Sequence, residues 1–407
     1  MSATSAAATP LEGFRVVELS SFVAVPLAGM TLSQLGCEVI RVDPIGGAAD
    51  YQRWPVADSG ASIYWAGLNK GKRSVAVDLR SPEGQRLVQR LVTESGPHGG
   101  ILITNVVGRD WHSYEALVSM RPDLIHLEVS GRGDGGTGVD YTVNAGVGFP
   151  MVTGHPSAPG PVNHVLPAWD VTCGLYAALA ITAAVRHREA TGQGSRIRLP
   201  LEDVALATAS NLGFLTEPMV NGTQRERLGN AIYGQYGQDF TSQDGVTFMI
   251  VALTGRHIRD LAKVTGTTEA VAALAEALHA DFADESDRYR HRDALTALFT
   301  NWFANRRADQ ISADLSTTSV LWERYRTFAQ AAIDPRVTDN PLFTSVRQPR
   351  IGDYLAAGSP VSVDGARAAA IAAPTLGDDT LDVLTERLAM SPHDVHRLRE
   401  SGIVATA

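Results

Sequence analysis

The 407-residue chain has little cysteine, no excess of positive charge and no long apolar run. Two cysteines, Cys37 and Cys173, can build neither a disulfide framework nor a cysteine-rich zinc site, so we expect a cytoplasmic protein without a bound metal. The net charge of -9 argues against a nucleic-acid binder, which needs a basic surface. The longest apolar run, residues 171–185, is about five residues short of a membrane span and predicts a buried helix rather than membrane contact.

Short apolar runs alternate with helical patterns through the first half of the chain. This alternation predicts an α/β fold, in which a Rossmann-like large domain carries a parallel sheet covered on both faces. Residues 256–310 have a more helical texture, which predicts a smaller inserted domain. The predicted order is a disordered tail (1–10), the first segment of the large domain (11–200), a linker helix (201–225), the small domain (226–330), a return linker (331–374) and the closing segment of the large domain (375–407).

A glycine-rich segment follows a predicted strand at residues 131–136 and matches the pattern G-x-G-x-x-G. In a dinucleotide site a helix begins at this point, so that its N–H groups meet the pyrophosphate. No helical period follows here, which favours a flexible loop. A dinucleotide-binding protein therefore stays as a weaker alternative.

Two further features are charged residues next to predicted secondary structure: a basic segment and an aspartate before a helix. Lys72 and Arg73 lie between glycines in residues 67–74, where they form either a solvated turn or a clamp for a phosphate. Asp170 stands at the head of the apolar helix, where a carboxylate is either an ordinary cap or a nucleophile. The helix dipole is expected to keep Asp170 ionised at neutral pH. His164 lies just before it and is a second candidate.

The chain resembles the family III CoA-transferases. Seven markers stand in family order: residues 11–18, 35–42, 69–79 and 122–125, Asp170 with its helix, and residues 188–194 and 374–380. The resemblance implies the family fold as an interlocked homodimer. It implies an acyl-CoA as substrate and no permanently bound cofactor.

The resemblance also implies roles for single residues. Asp170 occupies the position of the family's catalytic aspartate. The predicted CoA contacts are Ser21, Phe22, Val23, Ala24, Arg41, Asn69, Lys72, Arg73 and Asn105. The predicted contacts with the acyl group are Arg132, Tyr141, Asn144 and His164.

Longer stretches resemble the members of this family that move CoA within one substrate. These stretches are residues 43–47, 53–56, 65–73, 139–144 and 163–170. They imply an enzyme that shifts CoA between the two carboxyl groups of mesaconate (2-methylfumarate), through an anhydride and then a CoA thioester of Asp170. The alternative is an intermolecular transferase that uses a separate acid such as succinate.

Overall fold

The computed structural model describes residues 9–93, 96 and 98–407, so the predicted tail lies mostly outside the described residues. The chain divides into two compact units. Unit 1 holds the described residues up to Val147, residues 164–219 and residues 335–407, and unit 2 holds residues 148–163 and 220–334. Residues 148–163 thus cluster with unit 2, although the sequence pattern groups them with the first segment of the large domain. The domain boundaries given by the sequence pattern otherwise stay predictions.

Within the described ranges the strands form three sheets. Their bounds are β1 Arg15–Leu19, β2 Glu38–Pro44, β3 Arg73–Val77, β4 Ile101–Thr104, β5 Ile125–Ser130, β6 Ser195–Pro200, β7 Tyr236–Thr241, β8 Thr247–Ala252, β9 Leu321–Arg324, β10 Phe343–Gln348, β11 Gly352–Ala357 and β12 Val404–Ala405.

Unit 1 is built on a seven-stranded sheet in the order β12-β3-β2-β1-β4-β5-β6. All neighbours are parallel except β12, which pairs antiparallel with β3 at one edge. The order 3-2-1-4-5-6 is that of a Rossmann sheet, so the predicted α/β fold is confirmed. The strand order reverses between β1 and β4, and ligands of such sheets bind at the carboxyl ends of the strands beside this point.

The described residues also form eighteen α-helices. Their bounds are α1 Ala24–Gln34, α2 Ile63–Leu68, α3 Pro82–Thr93, α4 Tyr114–Val118, α5 Asp140–Gly146, α6 Phe149–Val152, α7 Ala168–Thr191, α8 Leu201–Asn211, α9 Thr216–Asn221, α10 Gly255–Val264, α11 Thr268–Leu278, α12 Glu285–Arg290, α13 Arg292–Ala304, α14 Ala308–Leu315, α15 Phe328–Ala332, α16 Pro335–Thr338, α17 Thr380–Leu388 and α18 Pro392–Glu400.

Helix α7 packs closely on α1 in unit 1. A Cβ atom at Gly174 would lie 2.6 Å from the carbonyl oxygen of Ala24, so only glycine allows this approach. Among the described residues, α7 alone is long and apolar enough to cross a membrane by length and composition. Cys173, Ala177 and Ile181 line its buried face. The helix bears Asp170 in its first turn, so its packing sets where that carboxylate lies.

Unit 2 has its own core and its own antiparallel sheet, β7-β8-β9. Phe240 stacks on Phe303 with ring centroids 4.4 Å apart, and Phe248 and Phe299 are buried around them. Helices α10, α13 and α14 supply much of the rest of the core. The sequence pattern indicated the helices of this region but missed its sheet.

Candidate active site

The loop after β1 is tied to the end of β4, across the reversal point of the sheet. The N–H of Ser21 donates to Asn105 Oδ1 at 3.0 Å, and Asn105 Nδ2 donates to the carbonyl oxygen of Ser21 at 2.8 Å. Val23 and Ala24 are buried where α1 begins. The structure therefore brings these four predicted residues together at the ligand end of the sheet. Asn105 itself acts here as a clamp on the loop.

Arg41 is buried beneath this loop among three acidic residues. Its guanidinium makes two hydrogen bonds to Asp43, at 2.9 and 3.0 Å, and lies 3.5 Å from Glu18 and 3.4 Å from Asp50. Asp50 in turn accepts the N–H of Phe22 at 2.9 Å, and Phe22 adopts a positive φ of 66°. The network thus holds a loop residue in a conformation that non-glycine residues rarely adopt.

Lys72 completes the network and is also buried. Its Nζ lies 2.8 Å from Glu18, 2.8 Å from Asn69 Oδ1 and 2.9 Å from the carbonyl oxygen of Pro26. A Cβ atom at Gly29 would lie 1.8 Å from Glu18, so glycine makes room for the carboxylate. Burial lowers the pKa of Lys72 to about 8, while Glu18 opposes that shift, so the amine is mostly protonated at pH 7.

Arg41 and Lys72 were predicted to contact the phosphates of CoA, but in this arrangement neither side chain has a free hydrogen-bond donor. Both cations are engaged with internal partners, as is Asn69. A direct contact with CoA would require the network to open, and that contact stays a prediction. What the structure shows is a buried support for the loop that follows β1.

We expect Lys72→Met to destabilise the protein by roughly 3–5 kcal/mol, because it removes the cation 2.8 Å from the buried Glu18 carboxylate and leaves only Arg41, at 3.5 Å, beside it. Chemical unfolding followed by circular dichroism measures this loss. The matched control is Lys263→Met, which removes an exposed lysine in the last turn of α10 and should change stability little. Equal stability of the two variants would contradict a supporting role for Lys72.

Arg73 is placed differently from its prediction as a CoA contact. It is the first residue of β3 and lies 2.8 Å from Glu38, 2.8 Å from Glu386 and 3.5 Å from Asp379. The amino end of a parallel strand is opposite the end that binds ligands. This placement does not support a phosphate contact at Arg73, and that contact stays a prediction.

Asp170 is the third residue of α7, and it does not cap the helix. The N–H groups of Trp169 and Asp170 both donate to Asp140 Oδ2, at 2.8 and 3.1 Å. Asp140 begins α5 and reaches the amino end of α7 from there. Because a second carboxylate satisfies these donors, the side chain of Asp170 is left for another task.

The environment of Asp170 shifts its pKa in the direction opposite to the expectation from the helix dipole. Burial, with the charge of Asp140 added, raises the pKa of Asp170 to about 7, and the charge of Arg53 opposes this shift. Burial therefore leaves Asp170 only partly ionised at neutral pH, and the expectation of a fully ionised carboxylate is wrong. A desolvated carboxylate is a stronger nucleophile than a hydrated one, so the shift suits acyl transfer.

Three of the predicted acyl contacts surround the amino end of α7. His164 Nε2 lies 2.6 Å from Asp140 Oδ1, and the ring of Tyr141 meets the ring of His164 edge-on at 5.7 Å. Asn144 Oδ1 accepts the indole N–H of Trp169 at 3.0 Å. In this structure His164 and Asn144 contact residues that hold Asp170, and their contact with substrate stays a prediction.

Arg132 lies in the glycine-rich loop, and its Nε lies 3.3 Å from Glu202 Oε1, so the guanidinium already has a carboxylate beside it. The loop folds back on itself, since a Cβ atom at Gly131 would lie 2.3 Å from the N atom of Gly138. The next helix, α5, begins only at Asp140. No helix therefore starts where a pyrophosphate site needs one, which disfavours the dinucleotide alternative.

Sequence reasoning missed Asp140 and Arg53, the two charged residues whose fields act on Asp170. Both lie in stretches that carry the resemblance to intramolecular transferases, residues 139–144 and 53–56. The resemblance indicated that these stretches matter, but it assigned no role to Asp140 or Arg53.

Neither thiols nor metal clusters add to the site. Burial, with the charge of Asp170 added, raises the pKa of Cys173 to about 12, so this thiol is protonated at neutral pH. Over the described ranges, no group of three or more His, Cys, Asp or Glu side chains is placed to hold a metal ion.

Comparisons with known proteins agree with this geometry. The chain is 48% identical to 2-methylfumaryl-CoA isomerase of Chloroflexus aurantiacus, over 97% of this chain and 98% of that protein. It is 28% identical to succinyl-CoA–D-citramalate CoA-transferase of the same organism, over 97% and 98% of the two chains. The crystal structure of a CaiB/BaiF family protein from Brucella suis superposes with a TM-score of 0.76 at 28% identity, over 93% of this chain and 99% of that one. Residues 11–380 match the model of CoA-transferase family III, and the chain is an enzyme that belongs to this family.

Proposed function

We propose that this enzyme moves CoA between the two carboxyl groups of mesaconate and so interconverts 2-methylfumaryl-CoA and 3-methylfumaryl-CoA. The observation that carries the proposal is the carboxylate of Asp170, desolvated in the first turn of α7 and relieved of capping by Asp140. The similarity to 2-methylfumaryl-CoA isomerase over nearly the whole chain supports the choice of substrate.

In the proposed reaction the Asp170 carboxylate attacks the thioester carbonyl. The C–S bond breaks, CoA leaves as a thiolate, and a mixed anhydride remains. The thiolate then attacks the aspartyl carbonyl, the C–O bond of the anhydride breaks, and mesaconate is released as a dianion inside the site. The other carboxylate of mesaconate attacks the aspartyl thioester, and the same two steps run in reverse order. No proton is gained or lost overall, and the scheme uses no bound cofactor.

The predicted homodimer and cytoplasmic location stay predictions. Exposed apolar side chains on and before α7 agree with a covering partner, among them Leu175, Leu179 and Val165.

The test is to incubate the pure enzyme with one regioisomer of methylfumaryl-CoA, without any free acid, and to separate the CoA esters by liquid chromatography. Appearance of the other regioisomer supports intramolecular transfer. Turnover that begins only when succinate or another acid is added would replace the proposal with intermolecular transfer. That second reaction resembles the one named for the D-citramalate transferase.

We expect the rate to depend on pH through Asp170. Because its pKa is raised to about 7 and the attacking form is the carboxylate, kcat/KM should fall about tenfold per pH unit below pH 7. Above pH 8 the value should level off. A flat profile between pH 5.5 and 7 would contradict the raised pKa, because it would show that Asp170 ionises at a much lower pH.

A further inference from the structure

Arg53 is held in a fixed place by the loop between β2 and α2. Its N–H donates to the carbonyl oxygen of Asp50 at 3.1 Å, and its own carbonyl oxygen accepts the hydroxyl of Ser62. Ser62 also caps α2 through the N–H of Trp65 at 3.0 Å. The backbone of Arg53 is therefore fixed from both sides, and its side chain starts from a defined point.

Two aromatic rings hold the guanidinium of Arg53. Its Cζ lies 5.3 Å from the ring centroid of Phe22 and 5.1 Å from that of Tyr64. Cation–π contacts engage the face of a guanidinium, whereas its N–H donors lie in the plane and point outward. Phe22 is itself held by Asp50, as described above. The pair of rings thus orients Arg53 without using its donors.

Arg53 has no acidic partner at salt-bridge distance. Within the part of the chain that the structure describes, no carboxylate oxygen lies within 4 Å of its guanidinium. Arg41 and Arg132 both face carboxylates, as shown above. The side chain of Arg53 is exposed, and its charge acts on Asp170 from beyond the range of a direct ion pair. An oriented cation with open donors therefore lies near the amino end of α7, because the Phe22 ring that holds it stands two residues before Ala24, and Ala24 packs against Gly174, one turn after Asp170.

The proposed reaction needs such a cation. While Asp170 attacks one end of the substrate, the other end remains an ionised carboxylate beside a largely buried nucleophile. An unpaired charge is costly there. After the thiolate has attacked, mesaconate carries two negative charges and no covalent bond to the enzyme. It must be retained until it presents its other end.

We propose that Arg53 binds the substrate carboxylate that is not reacting with Asp170, and that it holds the released dicarboxylate while its ends exchange. The inference rests on the proposed function. It makes Arg53 the residue that selects acyl groups with a second carboxylate. The same donors serve both ends in turn, because each carboxylate offers the planar pair of oxygens that a guanidinium fits.

The experiment uses Arg53→Gln and Arg53→Lys in the full-length enzyme. We measure kcat and KM for each methylfumaryl-CoA regioisomer, together with incorporation of labelled free mesaconate into the CoA esters. We expect Arg53→Gln to lower kcat/KM by about 100-fold, the loss of two charge-assisted hydrogen bonds, and to raise incorporation relative to turnover. Arg53→Lys should lie between Arg53→Gln and the wild type, since it keeps the charge but not the fork.

The matched control is Arg196→Gln. Arg196 is also an exposed arginine over a ring, with its Cζ 5.2 Å from the centroid of Tyr114, but it pairs with Glu115 at 2.6 Å and lies near the amino end of β6. We expect wild-type constants from it. If the wild type does not interconvert the regioisomers, the proposed function fails, whatever Arg53 does. If the wild type does so, unchanged kcat/KM and label incorporation in Arg53→Gln would overturn the inference about Arg53. Should Arg53→Gln not fold, unchanged constants in Arg53→Lys would overturn it equally.

Discussion

Asp170→Asn is expected to abolish CoA transfer, with kcat at least about 10³-fold lower, while CoA binding stays close to that of the wild type. An amide of the same shape cannot form the anhydride, because its nitrogen and oxygen are poor nucleophiles. The variant should also be more stable than the wild type at pH 8. Burial raises the folded-state pKa of Asp170 to about 7, so the wild type loses stability as the pH rises from about 4, the ordinary pKa of an aspartate, to 7, and it stays at that lower level above pH 7. Steady-state kinetics and thermal unfolding at pH 8 and pH 5 measure both effects.

A matched control for this variant is Asp382→Asn. Asp382 is likewise the third residue of its helix, α17, but it is exposed, so its loss should leave both turnover and the pH dependence of stability close to wild type. Retention of more than a few per cent of activity in Asp170→Asn would contradict a nucleophilic role. Equal destabilisation of both variants would show that Asp170 serves the helix rather than the reaction.

Sequence patterns predicted those parts of unit 1 whose signals are local. Strand β4 was expected at residues 101–104 and is found there, because four consecutive buried residues stand between turns. Helix α3 begins at Pro82, and the N–H of Glu83 donates to Ser81 Oγ, as the Ser-Pro-Glu signal predicts. The hairpin β10–β11 was missed, because residues 337–374 read as irregular and its pairing is set by tertiary contacts.

The sequence indicated which residues belong to the site, but not how their side chains are paired and buried. The sequence pattern located Asp170 in the first turn of α7. The residue that caps this helix is Asp140, which lies 30 residues earlier along the chain, beyond the reach of any local capping pattern. Arg41 and Lys72 were predicted as CoA contacts, and that prediction stays open. Their burial, and the acidic residues that saturate them, follow from strand register and could not be inferred from spacing.

Asp140→Asn should weaken the fold and also move the pH profile of the reaction. Asp140 accepts two helix N–H groups with Oδ2 and faces His164 with Oδ1. An amide has one acceptor oxygen, so one of these contacts is lost, and we expect a destabilisation of about 1–3 kcal/mol. The Asp140 charge also raises the pKa of Asp170. Its removal should lower that pKa and shift the acidic limb of kcat/KM to lower pH.

The structural and the electrostatic role of Asp140 have different consequences, so this variant distinguishes between them. A purely structural role for Asp140 would lower stability and activity together and leave the limb near pH 7. An electrostatic role moves the acidic limb of kcat/KM even under conditions in which the variant is fully folded. The matched control is Asp284→Asn in unit 2, because Asp284 also accepts two helix N–H groups, at 2.8 and 3.2 Å. It should cost a similar stability of about 1 kcal/mol without moving the limb. An unmoved limb in Asp140→Asn would mean that burial alone sets the pKa of Asp170, with Asp140 serving only to begin the helix.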